Sequence, residues 1–91
     1  MKFFVEIDGE THRLGDCNWV LKNGAGCAVG SLWAGADVAS AELAHREFTP
    51  LKRDRDRQTR NGYTLELVGR EQWKARIMPC IQGSCSHRTA A

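Results

Sequence analysis

A chain of 91 residues with 42% apolar and 26% charged side chains has the make-up of one globular domain, which excludes a disordered polymer and a multi-domain assembly. Its formal charge of +2 falls well short of the basic balance of most nucleic-acid binders, and its apolar runs are a few residues against about 20 for a membrane span. Glu6 and Asp8 interrupt the apolar start, which is not the form of a secretory leader, so a cytoplasmic protein with reduced cysteines and no membrane contact is expected.

Phe3, Val5 and Ile7 alternate with Phe4 and Glu6, a period of two that predicts a strand. Asp8-Gly9 is a favoured turn pair, and Glu10 to Leu14 returns as the second strand of a hairpin. After Gly15-Asp16, Cys17, Trp19 and Leu21 share one face of a third strand, with Asn18, Val20 and Lys22 on the other. Asn23-Gly24-Ala25-Gly26 signals a turn, and Cys27 to Trp33 returns.

Asp37 is suited to cap a helix from about Val38 to Glu47, with Val38, Ala41, His45 and Phe48 on its apolar stripe. Thr49-Pro50 ends it. Asn61-Gly62 is a second hairpin signal, followed by a strand through Tyr63, Leu65 and Leu67. Trp73, Ala75 and Ile77 alternate with Lys74 and Arg76 as a further strand, closed by Met78-Pro79. The expected fold class is α+β: a small antiparallel β-sheet built from hairpins, packed against one short helix at about 38–47. A single domain covers 1–79, and 80–91 form a loop-like tail. Trp19, Trp33 and Trp73 are expected in or near the core.

Residues 52–60 hold five cations against two acids, a local +3, so the rest of the chain sums to −1. If this stretch is extended, Arg53, Arg55 and Arg57 project to one face about 7 Å apart, opposite Asp54 and Asp56. Lys52, Arg53, Arg55, Arg57 and Arg60, with Tyr63 at the rim, are the predicted partner-binding residues. Guanidinium forks match the carboxylates of an acidic protein surface or protein complex, and the same row matches nucleic-acid phosphates. The segment is expected to be an Arg-rich hairpin or loop, and the bland alternative is a solvated hairpin or loop with internal ion pairs worth little each.

The cysteines offer a metal reading. Cys80 and Cys85 are four residues apart, as in a zinc knuckle, with His87 two residues on, and Cys17 and Cys27 would complete the ligand set. Against it, a two- or four-residue turn between Cys17 and Cys27 places them on opposite faces of their hairpin, so reduced buried or surface thiols or a Cys80–Cys85 bridge compete with a zinc-stabilised module. Cys85 and His87 could form a dyad, but no carboxylate is placed to orient the imidazole, and Asp16 disfavours a thiolate at Cys17. Gly24, Gly26 and Gly30 miss the dinucleotide fingerprint, because Val29 stands where its third glycine belongs. His45 reads as a satisfied boundary residue, and His12 as an edge-strand residue without a carboxylate beside it. Signatures of the common nucleic-acid modules are missing.

No cofactor and no catalysis are expected. The reading is a non-catalytic interaction protein, an inhibitor or adaptor of the kind phages and mobile elements encode, with sheet edges that also allow a homodimer.

Overall fold

The computed structural model describes residues 4–7, 9–35 and 37–85. Along them run β1 (Phe4–Ile7), β2 (Glu10–Arg13), a 3-10 turn (Leu14–Asp16), β3 (Asn18–Lys22), β4 (Ala28–Trp33), α1 (Ala41–Phe48), α2 (Lys52–Arg60), β5 (Thr64–Val68), α3 (Arg70–Gln72), a π-helical turn (Trp73–Ile77) and α4 (Met78–Gln82). The α+β class with antiparallel sheets is as expected. Strands β1 and β2 form one hairpin, and β3 is the middle strand of a second sheet, ordered β4-β3-β5.

The sequence of β3 explains its central place. Asn18, Trp19, Val20 and Leu21 are all buried, as a strand covered on both faces requires. Trp19 lies opposite Leu32 and Leu67, while Val20 lies opposite Ser31 and Glu66, so alternate residues feed two separate cores. On one face Trp19 packs with Leu14, Cys17, Ala34 and Ala44, covered by Phe48 of α1 and by Val5 and Ile7 of the β1–β2 hairpin. On the other, Val20, Ala28 and Val68 meet Ile77, with Cys27, Cys80, Cys85 and half-buried Trp73. The result is three layers. Full burial of a residue such as Ile77 contributes about 1.5–3 kcal/mol.

Helix α1 starts at Ser40, whose hydroxyl accepts from the Leu43 N–H at 3.2 Å, and not at Asp37. Val38 is committed elsewhere: its N–H bonds to the Gly35 carbonyl, and its own carbonyl accepts the Trp19 indole N–H at 2.7 Å. The helix therefore begins three residues later than predicted. Phe48 packs against β4 at Gly30, where a Cβ would come within 2.9 Å of its ring.

Five further expectations are corrected. Residues 52–60 are a helix, because Lys52 pairs with Asp56 at i,i+4 and Arg57 with Asp54 at i,i+3, a spacing an extended chain cannot use. Asn61-Gly62 is consequently not a hairpin turn but the end of α2, with Gly62 at φ +83° and the Tyr63 N–H returning to the Gln58 carbonyl.

Residues 73–77 are helical and not a strand. Trp73, Ile77 and Cys80 recur at helical spacing on the buried side, while Ala75, which a strand would have buried with them, is exposed. Pro79 has no N–H and would crowd the Ala75 carbonyl in a continuous α-helix. The wider π turn, closed by the Met78 N–H on the Trp73 carbonyl, lies just ahead of it.

The expected loop-like tail is folded as far as it is described: Cys80 lies in α4, and both Cys80 and Cys85 are buried. Trp33, expected near the core, is 61% exposed at the end of an outer strand.

The β3–β4 turn rests on the end of α2. A Cβ at Gly24 would lie 2.6 Å from the Asn61 carbonyl oxygen. No helix among the described residues is long and apolar enough to cross a membrane.

Candidate functional site: a three-thiol cluster and an aromatic cleft

Cys27 enters the C-terminal core from the β3–β4 turn. The Asn23 side chain accepts the N–H groups of Ala25 and Cys27 at 3.0 Å each, and the Asn23 N–H bonds to the Cys27 carbonyl, which fixes a three-residue loop. In a regular hairpin a three-residue loop would place Cys17 and Cys27 on one face. A register shift between Leu21 and Lys22 intervenes, and the two thiols lie in opposite cores, as the two- or four-residue alternative had it.

Cys80 and Cys85 reach the same place from the other end of the chain. Gly83, at φ +78°, caps α4, and the Ser84 N–H returns to the Pro79 carbonyl at 2.8 Å. That reversal brings Cys85 beside Cys80. The sulfurs of Cys27, Cys80 and Cys85 all lie within 4.8 Å of one another, with 3.5 Å between Cys27 and Cys85. Of the five residues named as candidate ligands these three converge. Cys17 is buried across the sheet, its thiol donating to the Arg13 carbonyl, and His87 lies outside the described residues.

Burial pushes the Cys80 thiol above its ordinary value; Cys27 and Cys85 add to the rise, against a lowering by a backbone hydrogen bond at Ala28. Cys17 is raised by burial and then by Asp16. Thiols held protonated in this way are poor nucleophiles at neutral pH.

A cleft of about 380 Å³ opens beside the cluster, lined by Cys80 and Cys85 together with Lys22 and Arg76. Both cations bind one carboxylate: Glu66 accepts from Lys22 at 2.8 Å and from Arg76 at 2.7 Å. Burial alone would raise Glu66, but these hydrogen bonds and charges outweigh it and hold its carboxyl below the usual range. The triad joins β3, β5 and the π turn. It went unnoticed in the sequence because strand pairing and the docking of the π turn, not spacing, bring its members together.

A second cleft, of about 490 Å³, lies between Trp33 on the outer strand β4 and the C-terminal helices. Trp73 and Ile81 contribute its apolar wall, and Arg70 and Lys74 stand on its rim. The Trp73 indole N–H donates to the Ser31 hydroxyl at 2.7 Å, which fixes the inner ring, while Trp33 and Ile81 are 61% and 50% exposed.

No family model, curated protein or solved structure matches this chain.

The predicted arginine ridge does not take the expected form. On a helix, Arg53 and Arg57 share a side and Arg55 points away from both. Arg55 instead donates to the Thr49 and Pro50 carbonyls at 2.9 and 2.6 Å, tying α2 to the end of α1. Lys52 and Arg57 are paired with Asp56 and Asp54, and Arg53 approaches Asp54 at 3.7 Å. Arg60 ends α2 and Tyr63 is half-buried beyond it.

Gln58 is a satisfied hinge between the two helices, bonded to His45 at 2.8 Å and Thr49 at 2.9 Å. His45 is thus the partnered boundary residue it was read as. His12 does have a carboxylate beside it, Glu10 at 3.6 Å, because residues two apart on β2 share a side.

Proposed function

We propose that the protein is a non-catalytic binding module that acts stoichiometrically, as an inhibitor or adaptor, through the Trp33–Trp73–Ile81 cleft. The observation that carries this is an exposed tryptophan and an exposed isoleucine flanking one groove whose rim holds Arg70 and Lys74. Exposed tryptophan is costly in water and is the side chain most often found at the energetic centre of an interface. The fitting occupant is an acidic segment of a protein partner with one apolar anchor, the anchor in the groove and its carboxylates against the two rim cations. The cations of α2, with three intrahelical ion pairs, contribute little beyond general attraction.

The test is a titration of the full chain, followed by tryptophan fluorescence, with acidic peptides carrying one leucine or phenylalanine, with the charge-reversed peptides, and with single-stranded oligonucleotides. The acidic peptides bind, and Trp33→Ala or Lys74→Glu weakens them at least about tenfold. The triple reversal of Arg53, Arg57 and Arg60 to Glu changes affinity by much less. Loss in the triple reversal with Trp33→Ala unaffected would move the contact to α2. Preferential oligonucleotide binding, falling steeply and linearly with salt in log–log form, would replace the protein partner by nucleic acid.

A further inference from the structure

We propose that Cys27, Cys80 and Cys85 are the thiolate ligands of a structural zinc ion that fastens the β3–β4 turn to the C-terminal helices. Their juxtaposition is the evidence. Three sulfurs from two ends of the chain lie mutually within 4.8 Å, whereas thiolates on a tetrahedral zinc with Zn–S bonds near 2.3 Å stand about 3.8 Å apart. An adjustment of well under one ångström per sulfur closes the set. The two segments that present them are each held by their own hydrogen bonds, at Asn23 for Cys27 and at Pro79 for Cys85, so the site is built before any ion arrives.

Charge points the same way. Three thiolates on a dication leave one negative charge. Lys22 and Arg76, which line the cleft beside Cys80 and Cys85, share the single carboxylate of Glu66 and leave one positive charge. The neighbourhood is therefore neutral with zinc bound. Binding moves no electrons: each thiol gives its proton to solvent as its sulfur takes the metal, and three protons are released per ion. Thiolate sulfur selects zinc or copper(I) over magnesium or calcium, and a cubane cluster would ask for a fourth cysteine, which the sheet keeps away at Cys17. The fourth zinc position is open to water or to an imidazole.

The test uses the full chain, purified under reductant and titrated with cobalt(II) and then zinc(II). One equivalent of cobalt gives sulfur-to-metal charge-transfer absorption with intense tetrahedral ligand-field bands, and zinc abolishes both. Zinc at a hundredfold excess over its dissociation constant raises the melting temperature by at least about 10 °C. Cys27→Ser and Cys85→Ser each lose the charge-transfer bands or weaken binding at least a hundredfold, whereas Cys17→Ala keeps them. Should the serine variants fail to fold, native mass spectrometry of the unaltered chain still decides, with one zinc per chain expected. A zinc-free chain at equilibrium with excess metal, cobalt bands that survive Cys27→Ser with affinity unchanged, or a mass two hydrogens lower that marks a disulfide would each overturn the assignment. Trp73 packs against the thiol core and also lines the cleft, so the two tests are kept apart by their readouts: cobalt absorption and metal stoichiometry report the thiol site, and Trp33→Ala and Lys74→Glu, which alter no sulfur, report the cleft.

Discussion

On one face of the central sheet Trp19 and Phe48 close over Ala44 and Ala34, large rings against small side chains, with the indole N–H partnered by Val38. On the opposite face the sheet offers Val20, Ala28 and Val68, and much of what packs on them is sulfur. The first face is held by bulk apolar burial. The second has one large buried aliphatic from the C-terminal segment, Ile77, and leaves two clefts at its margins. A small domain that closes one side with thiols in place of a larger apolar layer has reason to recruit a metal there.

Substitutions can separate the two faces. Trp19→Ala should have the largest effect, a loss of about 3–5 kcal/mol, because it removes the ring at the centre of its core and strands the Val38 carbonyl. Ile77→Ala should cost somewhat less, about 2–5 kcal/mol. The discriminating measurement is the zinc-induced rise in melting temperature: it stays at its full size in Trp19→Ala and shrinks in Ile77→Ala. Equal shrinkage in both would show one cooperative unit with no division of labour.

Ser40→Ala should remove about 1 kcal/mol, read by denaturant unfolding, with the metal response untouched, since the cap belongs to the apolar face. Glu66 tests the other face by acid. Its folded carboxyl titrates below its unfolded value near 4.3, so its contribution is fully present above that pH and disappears as pH falls through the lower, folded value. Glu66→Gln should flatten the fall in melting temperature in that window; an unchanged acid profile would mean that Lys22 and Arg76 do not rely on it. The smallest effect is expected at Lys52→Ala, where loss of the exposed pair with Asp56 leaves the melting temperature unmoved.

What could be read from the chain follows the range of the interactions involved. The strands through Val5, Val20, Leu32 and Leu65 were legible because alternation is local, and so was the place of His45 on the α1 stripe. Lys52 to Arg57 was read as a hairpin or loop, extended at most: its alternating charge also supplies i,i+4 pairs, and nothing apolar was present to mark a helix. Trp73 and Ile77 misled for a similar reason, since residues four apart fit both periods, small Ala75 between them decides nothing, and the deciding member, Cys80, lay beyond the assumed end at Pro79. Convergence of Cys27 with Cys80 and Cys85 depends on where a helix crosses a sheet, and no spacing in the sequence encodes that. The same holds for the cleft between Trp33 and Ile81.

Gly24 sits so tightly on the Asn61 carbonyl that a single methyl group has no room. Cys27 is three residues downstream, and its thiol is therefore positioned by two abutments: the C-terminal helices in front and the tip of α2 behind. Gly24→Ala touches no sulfur, yet it would lever the turn off its support and carry Cys27 with it. Control over the thiols thus extends to a corner of the molecule that makes no contact with them.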